Sequence, residues 1–184
     1  MKHIDMTNVQ EAGEFDRLPA GAYACVIRNA EDFSEKEYLK ITYDIAAGKY
    51  AGYYEKLRND HPDWAWTGAY VKSYKTKALP MFKRFCSAVS KSNGNFVFDG
   101  NTVNADERTL IGKKVGLVMQ EEEYYGNDGS KKTRLIVARE CPIDKLSTQK
   151  IPEAKKLPDE PQNAGGVDGF MSIPDGMDEE MPFA

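Results

Sequence analysis

Between Tyr38 and Ile45, the residues Leu39, Ile41, Tyr43 and Ile45 alternate with Tyr38, Lys40, Thr42 and Asp44. A period of two is that of a strand with one face in a core and the other open to water or a ligand. The turn sequence Leu18-Pro19-Ala20-Gly21 precedes a second such pattern, Ala22 to Asn29, with Tyr23, Cys25 and Ile27 on one side and Ala24, Val26 and Arg28 on the other. The polar run Glu31 to Glu37 reads as the loop joining the two. Ala47 to Gly52, with two glycines, turns the chain into an expected third strand around Tyr53 to Arg58, where Tyr54, Lys56 and Arg58 share a face. The period then lengthens. Tyr70, Tyr74, Ala78, Met81, Phe82, Phe85 and Val89 recur at three and four residues, which predicts helix from roughly Gly68 to Ser92. Pro80 interrupts it, so a second helical segment is expected to start at Leu79-Pro80 and to stop at Ser92-Asn93-Gly94. Lys114 to Glu123 and Lys132 to Cys141 flank Asp128-Gly129, a hairpin signal.

Three strands, a helix and two strands in about 125 residues fit one domain. The expected fold is mainly β, an OB-fold: a five-stranded Greek-key barrel with a helix between strands 3 and 4. An open α+β sheet or another small barrel has the same periodicity. The expected layout is an arm over 1–17, the OB-fold domain over 18–146 and a disordered linker and acidic tail over 147–184.

Charge sharpens that boundary. The 184 residues carry 25 Lys and Arg against 29 Asp and Glu, a net charge of −4. Residues 159–184 hold seven of the acids and no Lys or Arg, leaving residues 1–158 with 25 bases against 22 acids. With Pro158, Pro161, Pro174, Pro182 and four glycines, the terminal stretch has too little apolar surface to fold. Its end, Asp178-Glu179-Glu180-Met181-Pro182-Phe183, sets acids before an apolar tip and suits a partner's hydrophobic pocket with a basic rim. No apolar run has the roughly 18 residues needed to span a bilayer, and none at the start looks like a signal peptide. A location inside a cell, away from the membrane, is expected. Cys25, Cys86 and Cys141 lack the spacing of a disulfide framework or zinc site and are expected to be reduced and half-buried.

The candidate chemistry is that of binding. Two histidines leave little room for imidazole catalysis, so no catalytic residue is assigned and a non-enzymatic role is expected, with no cofactor and no metal. Asp60, His61 and Asp63 have ligand chemistry for a divalent ion, which would suit a metal-dependent nuclease, but a proline-containing turn rich in Asp is common without metal. Residues 64–98 instead combine Lys72, Lys75, Lys77, Lys83, Arg84 and Lys91 with eight aromatics and no acid. Single-stranded nucleic acid is bound by that mixture, cations neutralising phosphates and rings stacking on unpaired bases. The candidate DNA-binding residues are Lys40, Tyr54, Lys56 and Arg58 on strands two and three, Trp64, Trp66 and Lys72, and Tyr124, Tyr125, Lys131, Lys132 and Arg134 at the last hairpin.

Leu18-Pro19-Ala20-Gly21-Ala22-Tyr23, Leu39 to Ile45, Gly48-Lys49-Tyr50-Ala51-Gly52-Tyr53, Leu79 to Val89 and Leu110-Ile111-Gly112-Lys113-Lys114-Val115 together resemble phage-encoded single-stranded DNA-binding proteins, over roughly residues 18–146. The tail is similar to those with which bacterial single-stranded DNA-binding proteins recruit partners, although Ala184 follows Phe183. The resemblance implies an OB-fold protein that coats and protects unpaired DNA during phage replication or recombination in the cytoplasm of the infected host. It also implies replication or recombination proteins as partners of Asp178, Glu179, Glu180, Met181, Pro182 and Phe183, and is compatible with a homo-oligomer. The alternative is a protein-interaction or scaffolding module without DNA affinity.

Overall fold

The computed structural model describes residues 17–99 and 106–157, together with His3, Asp5 and Thr7. Five strands form one antiparallel sheet in the order β3-β2-β1-β4-β5. They are β1, Gly21–Phe33; β2, Tyr38–Ile45; β3, Ala69–Ser73; β4, Lys114–Tyr125; and β5, Lys131–Cys141. Helix α1, Tyr53–Asp60, lies between β2 and β3, and α2, Leu79–Ser92, between β3 and β4. The expected count of strands and the helix after the third are present, but the third strand is a different segment.

Tyr53 to Arg58, expected as that strand, is helical because β2 caps it from a distance. The buried Asp44 carboxylate accepts from the backbone N–H groups of Tyr54 at 3.0 Å and Glu55 at 3.2 Å. Those are orphan donors of the helix's first turn. The cap lies ten residues upstream, on a strand whose alternation points Asp44 away from the core, so no local pattern announces it. Asp44→Ala is expected to cost about 1–2 kcal/mol, the value of a good cap. Urea denaturation with hydrogen exchange along α1 checks this, and an unchanged midpoint would deny Asp44 that role.

The true third strand is entered through Gly68, where the chain passes between Tyr43 and Tyr54. A Cβ there would sit 2.6 Å from the Tyr43 carbonyl oxygen and 2.7 Å from the Tyr54 ring. Tyr70, read as helical, lies on β3 opposite Ile41, and helix starts only near Leu79, as expected for the second segment. Strand β1 runs past the expected loop start to Phe33. Ile27 pairs with Tyr43 and Asn29 with Thr42, so Arg28 is an inserted residue, and the bulge shifts the buried set from Cys25 and Ile27 to Ala30.

The inward faces of β1, β2 and β4 supply Cys25, Ile27, Leu39, Ile41, Tyr43, Val115, Leu117 and Met119, and α2 covers them with Phe85 and Val89. All three cysteines are free and buried, more deeply than expected. The edge strands β3 and β5 share no backbone ladder, yet side chains bridge them. Lys72 Nζ on β3 lies 2.6 Å from Glu140 Oε1 on β5, and Arg84 Nε of α2 lies 3.9 Å from Glu140 Oε2. The open sheet is thereby curled into a barrel-like form.

Residues 147–157, expected as the start of a disordered linker, are instead ordered against the sheet. A short 3-10 turn, Ile143–Thr148, sets Leu146 over Gly116 of β4. Lys155 then hydrogen-bonds β4, donating to the Glu121 carbonyl at 2.9 Å and accepting from Glu123 N–H at 2.8 Å. This covers a part of β4 that β1 is too short to reach. The remaining tail, with Asp178 to Phe183, and most of the arm lie outside the described residues. Among the described residues, no helix is long and apolar enough to cross a membrane.

Candidate nucleic-acid interface

The outward face of β1, β2 and β3 follows from the register. Phe33 faces Tyr38, Glu31 faces Lys40, and Lys40 faces Val71 across the other edge. Phe33 and Tyr38 stack, with ring centroids 4.9 Å apart and planes at 24°, and Phe33 is 38% exposed. Lys40 Nζ lies 4.0 Å from Glu31. A cross-strand ring pair beside a lysine and an exposed valine is a surface on which an unpaired base can lie flat. Acids also surround this hairpin, Glu31, Asp32, Glu35 and Glu37 against Lys36 and Lys40, so stacking outweighs charge in what it offers a ligand.

A second ring pair lies in the loop between α1 and β3, which returns to β2 at Tyr43. Trp64, half exposed, stacks on His61 with centroids 4.0 Å apart and planes at 12°. The Arg58 guanidinium donates to the Trp64 carbonyl, holding the loop against α1, whose Lys56 is exposed. Five steps along β2, from Tyr38 to Tyr43 where the loop returns, is about 17 Å of strand.

The residues expected from the sequence divide sharply in this frame. Lys40 stands on the outward face, Arg58 reaches the loop at the Trp64 carbonyl, and Lys56 lies exposed on α1. The expected groove of Lys40 with Tyr54, Lys56 and Arg58 on neighbouring strands does not form, because residues 53–60 are a helix. Tyr54 is buried, its hydroxyl 3.4 Å from that of Tyr43. Trp66 packs on the core beside Tyr54, its indole N–H donating to the carbonyls of Tyr43 at 3.1 Å and Gly68 at 3.2 Å. Lys72 is committed to Glu140. Phe33 escaped the sequence reading, and its symmetry with Tyr38 about Ser34 to Glu37 is the signal that would have found it.

At the β4–β5 hairpin, Tyr125 is exposed and the Arg134 guanidinium lies over the Tyr124 ring at 5.0 Å. Every expected cation there faces an acid: Lys131 with Glu123 at 2.9 Å, Lys132 with Asp128 at 3.1 Å and Arg134 with Glu122 at 2.8 Å. The hydrogen bonds of Ser130 and Lys132 hold the Asp128 carboxyl below its ordinary range. A polyanion binding here would have to displace carboxylates. Asp60, His61 and Asp63 do not converge, and among the described residues no group of three or more His, Cys, Asp or Glu is placed to hold a metal ion.

Beneath the outward face lies a tyrosine cluster that ties the stability of the fold to pH. Burial pushes the Tyr23 and Tyr54 hydroxyls up to about 12 from 10.0, and those of Tyr43 and Tyr70 well above it. A phenol raised on folding adds stability that is complete below its unfolded value and is lost as pH climbs through the folded one. The fold is therefore expected to lose stability from pH 10 towards 12. Urea titrations across that window, read with tyrosinate absorbance, check it; free ionisation of all ten tyrosines near pH 10 with no change in stability would contradict it.

No known family model matches the chain, and none of the curated proteins matches it in sequence.

Proposed function

We propose that the protein is a non-enzymatic single-stranded DNA-binding protein of the OB-fold type. It coats and protects unpaired DNA during phage replication or recombination in the infected host, and recruits replication or recombination proteins through Asp178 to Phe183. The observation that carries the reading is the pair of ring stacks that each expose one ring, Phe33 on Tyr38 at the β1–β2 turn and Trp64 on His61 in the loop between α1 and β3. Exposed rings cost hydration and are of use to a ligand that is itself flat, and Arg58 stands at the second stack, its guanidinium on the Trp64 carbonyl. The strand order β3-β2-β1-β4-β5 supports the fold part, since closing β3 onto β5 completes a small five-stranded barrel. The motifs that resemble phage single-stranded DNA-binding proteins agree with both.

Tryptophan fluorescence tests the reading. Trp64 is exposed and Trp66 is packed, so oligo-dT is expected to quench the protein, and the Trp66→Phe variant, but not Trp64→Phe. Quenching that survives only in Trp64→Phe would move the site elsewhere. The paired charges of the β4–β5 hairpin favour a second reading, an interaction module whose barrel binds protein. It predicts no complex with oligo-dT at moderate salt.

A further inference from the structure

The Phe33–Tyr38 ring pair stands on the last rung of the β1–β2 ladder, where a hairpin frays most readily. The two strands are joined by a single 3-10 turn, Ser34–Lys36, followed by Glu37 at a φ of +57°. Among the described residues, Glu37 is the one non-glycine residue in the left-handed region. A side chain there is strained and persists where its surroundings hold it. The holding groups come from the end of β3. Tyr74 N–H donates to the Glu37 carbonyl at 2.9 Å, and Ser73 Oγ donates to the same oxygen at 3.4 Å. The Tyr74 hydroxyl donates to Asp32 Oδ1 at 2.8 Å. Asp32 precedes Phe33 and Glu37 precedes Tyr38, so this one residue is bonded next to both rings.

Tyr74 is itself fixed. Its ring meets Phe82 of α2 edge to face, with centroids 5.7 Å apart, and Phe82 lies 6.2 Å from Phe85, which is fully buried. A continuous line of contacts thus runs from the core through Phe82 and Tyr74 to the turn. Asp32 lies opposite Leu39, a core residue, whereas Phe33 and Tyr38 face outward. Tyr74 therefore holds the turn from the side away from the exposed ring. Burial and the hydrogen bond to Asp32 push its phenol up to about 12, so the donor keeps its proton at neutral pH. Ordering two rings and a base at a loose hairpin end costs affinity, and a turn already set avoids that cost. We propose that Tyr74 is a positioning residue of the ring stack, which sets the Phe33–Tyr38 pair by bonding Asp32 and Glu37 without touching the bound strand. The proposal rests on the reading of this stack as a DNA surface.

Equilibrium binding of labelled oligo-dT to the full chain and to three variants tests it. Tyr74→Phe keeps the ring on Phe82 and loses the bond to Asp32. It is expected to bind about 2–10-fold more weakly, the span of one hydrogen bond. Asp32→Asn and Asp32→Leu remove the same negative charge, but only the amide still accepts from the phenol. Asp32→Leu is expected to weaken binding as Tyr74→Phe does, and Asp32→Asn to bind at least as tightly as the parent. With Phe33→Ala and Tyr38→Ala in place, Tyr74→Phe is expected to have no further effect on affinity. In proton NMR spectra of the free chain, Tyr74→Phe is expected to shift the Phe33 and Tyr38 ring signals while the urea midpoint stays close to the parent's. A Tyr74→Phe variant that binds as the parent does, or a loss equally large without the two rings, would overturn the positioning role. Asp32→Asn binding as weakly as Asp32→Leu would overturn it too. A parent chain that forms no complex would overturn the DNA reading itself, and the role in binding with it.

Discussion

Glu140→Ala is expected to destabilise the protein by about 3–5 kcal/mol, the cost of leaving one member of a buried ion pair alone. Glu140 is almost wholly buried, and Lys72, its partner at 2.6 Å, is only 12% exposed. Removing the carboxylate strands that ammonium in the seam between β3 and β5, where no backbone ladder holds the edges together. It also takes from Arg84 its contact at 3.9 Å. Replacing both members with apolar residues of similar size, Lys72→Met with Glu140→Leu, is expected to restore most of the loss, because the pair's desolvation cost disappears with its attraction. Urea unfolding of the single and double variants measures this. A single variant within about 1 kcal/mol of the parent would place the pair among exposed salt bridges, which contribute little.

The second large effect falls on binding. Phe33→Ala with Tyr38→Ala removes one ring stack while leaving the β1–β2 ladder, and each ring that stacks on a base is worth about 1–3 kcal/mol. The double variant is therefore expected to bind oligo-dT at least tenfold more weakly, tenfold being 1.4 kcal/mol. Tyr124→Ala with Tyr125→Ala, at a hairpin whose cations are already matched by acids, is expected to change affinity less. Direct binding assays on the two double variants compare the surfaces, and the reverse order of effects would move the interface to the β4–β5 hairpin.

What the sequence revealed followed from how local each cause is. Strand β2 was legible to the residue because its alternation is unbroken from Tyr38 to Ile45, and the β4–β5 hairpin because Asp128-Gly129 marks its turn, with Gly129 at a φ of +72°. The second helical segment was legible from Pro80 in its first turn and Asn93 at its end. The misread third strand had a non-local cause: Asp44 caps α1 across ten residues, and Tyr53 to Arg58 by itself satisfies either period. The bulge at Arg28 hid four further residues of β1 and with them Phe33, the ring that completes the first stack. Among candidate site residues, composition located cations and rings without their orientation. Tyr54, Trp66 and Lys72 proved to be held by Tyr43, Gly68 and Glu140, contacts that only the folded chain assembles. Lys56, Arg58 and Trp64 kept the exposure that a ligand requires, and Lys40 is half-exposed beside Glu31.

Unpaired DNA is proposed to bind this barrel through stacking assisted by a few cations. Fluorescence anisotropy of labelled oligo-dT with the full chain, at low and high salt, with a duplex of equal length as competitor, tests it most directly. Saturable binding is expected, with a shallow loss of affinity in salt of about 0.7 in log–log slope for each phosphate neutralised and only weak competition by the duplex. Absence of a complex at low salt, or equal competition by duplex, would contradict the account and leave the protein-interaction reading in its place.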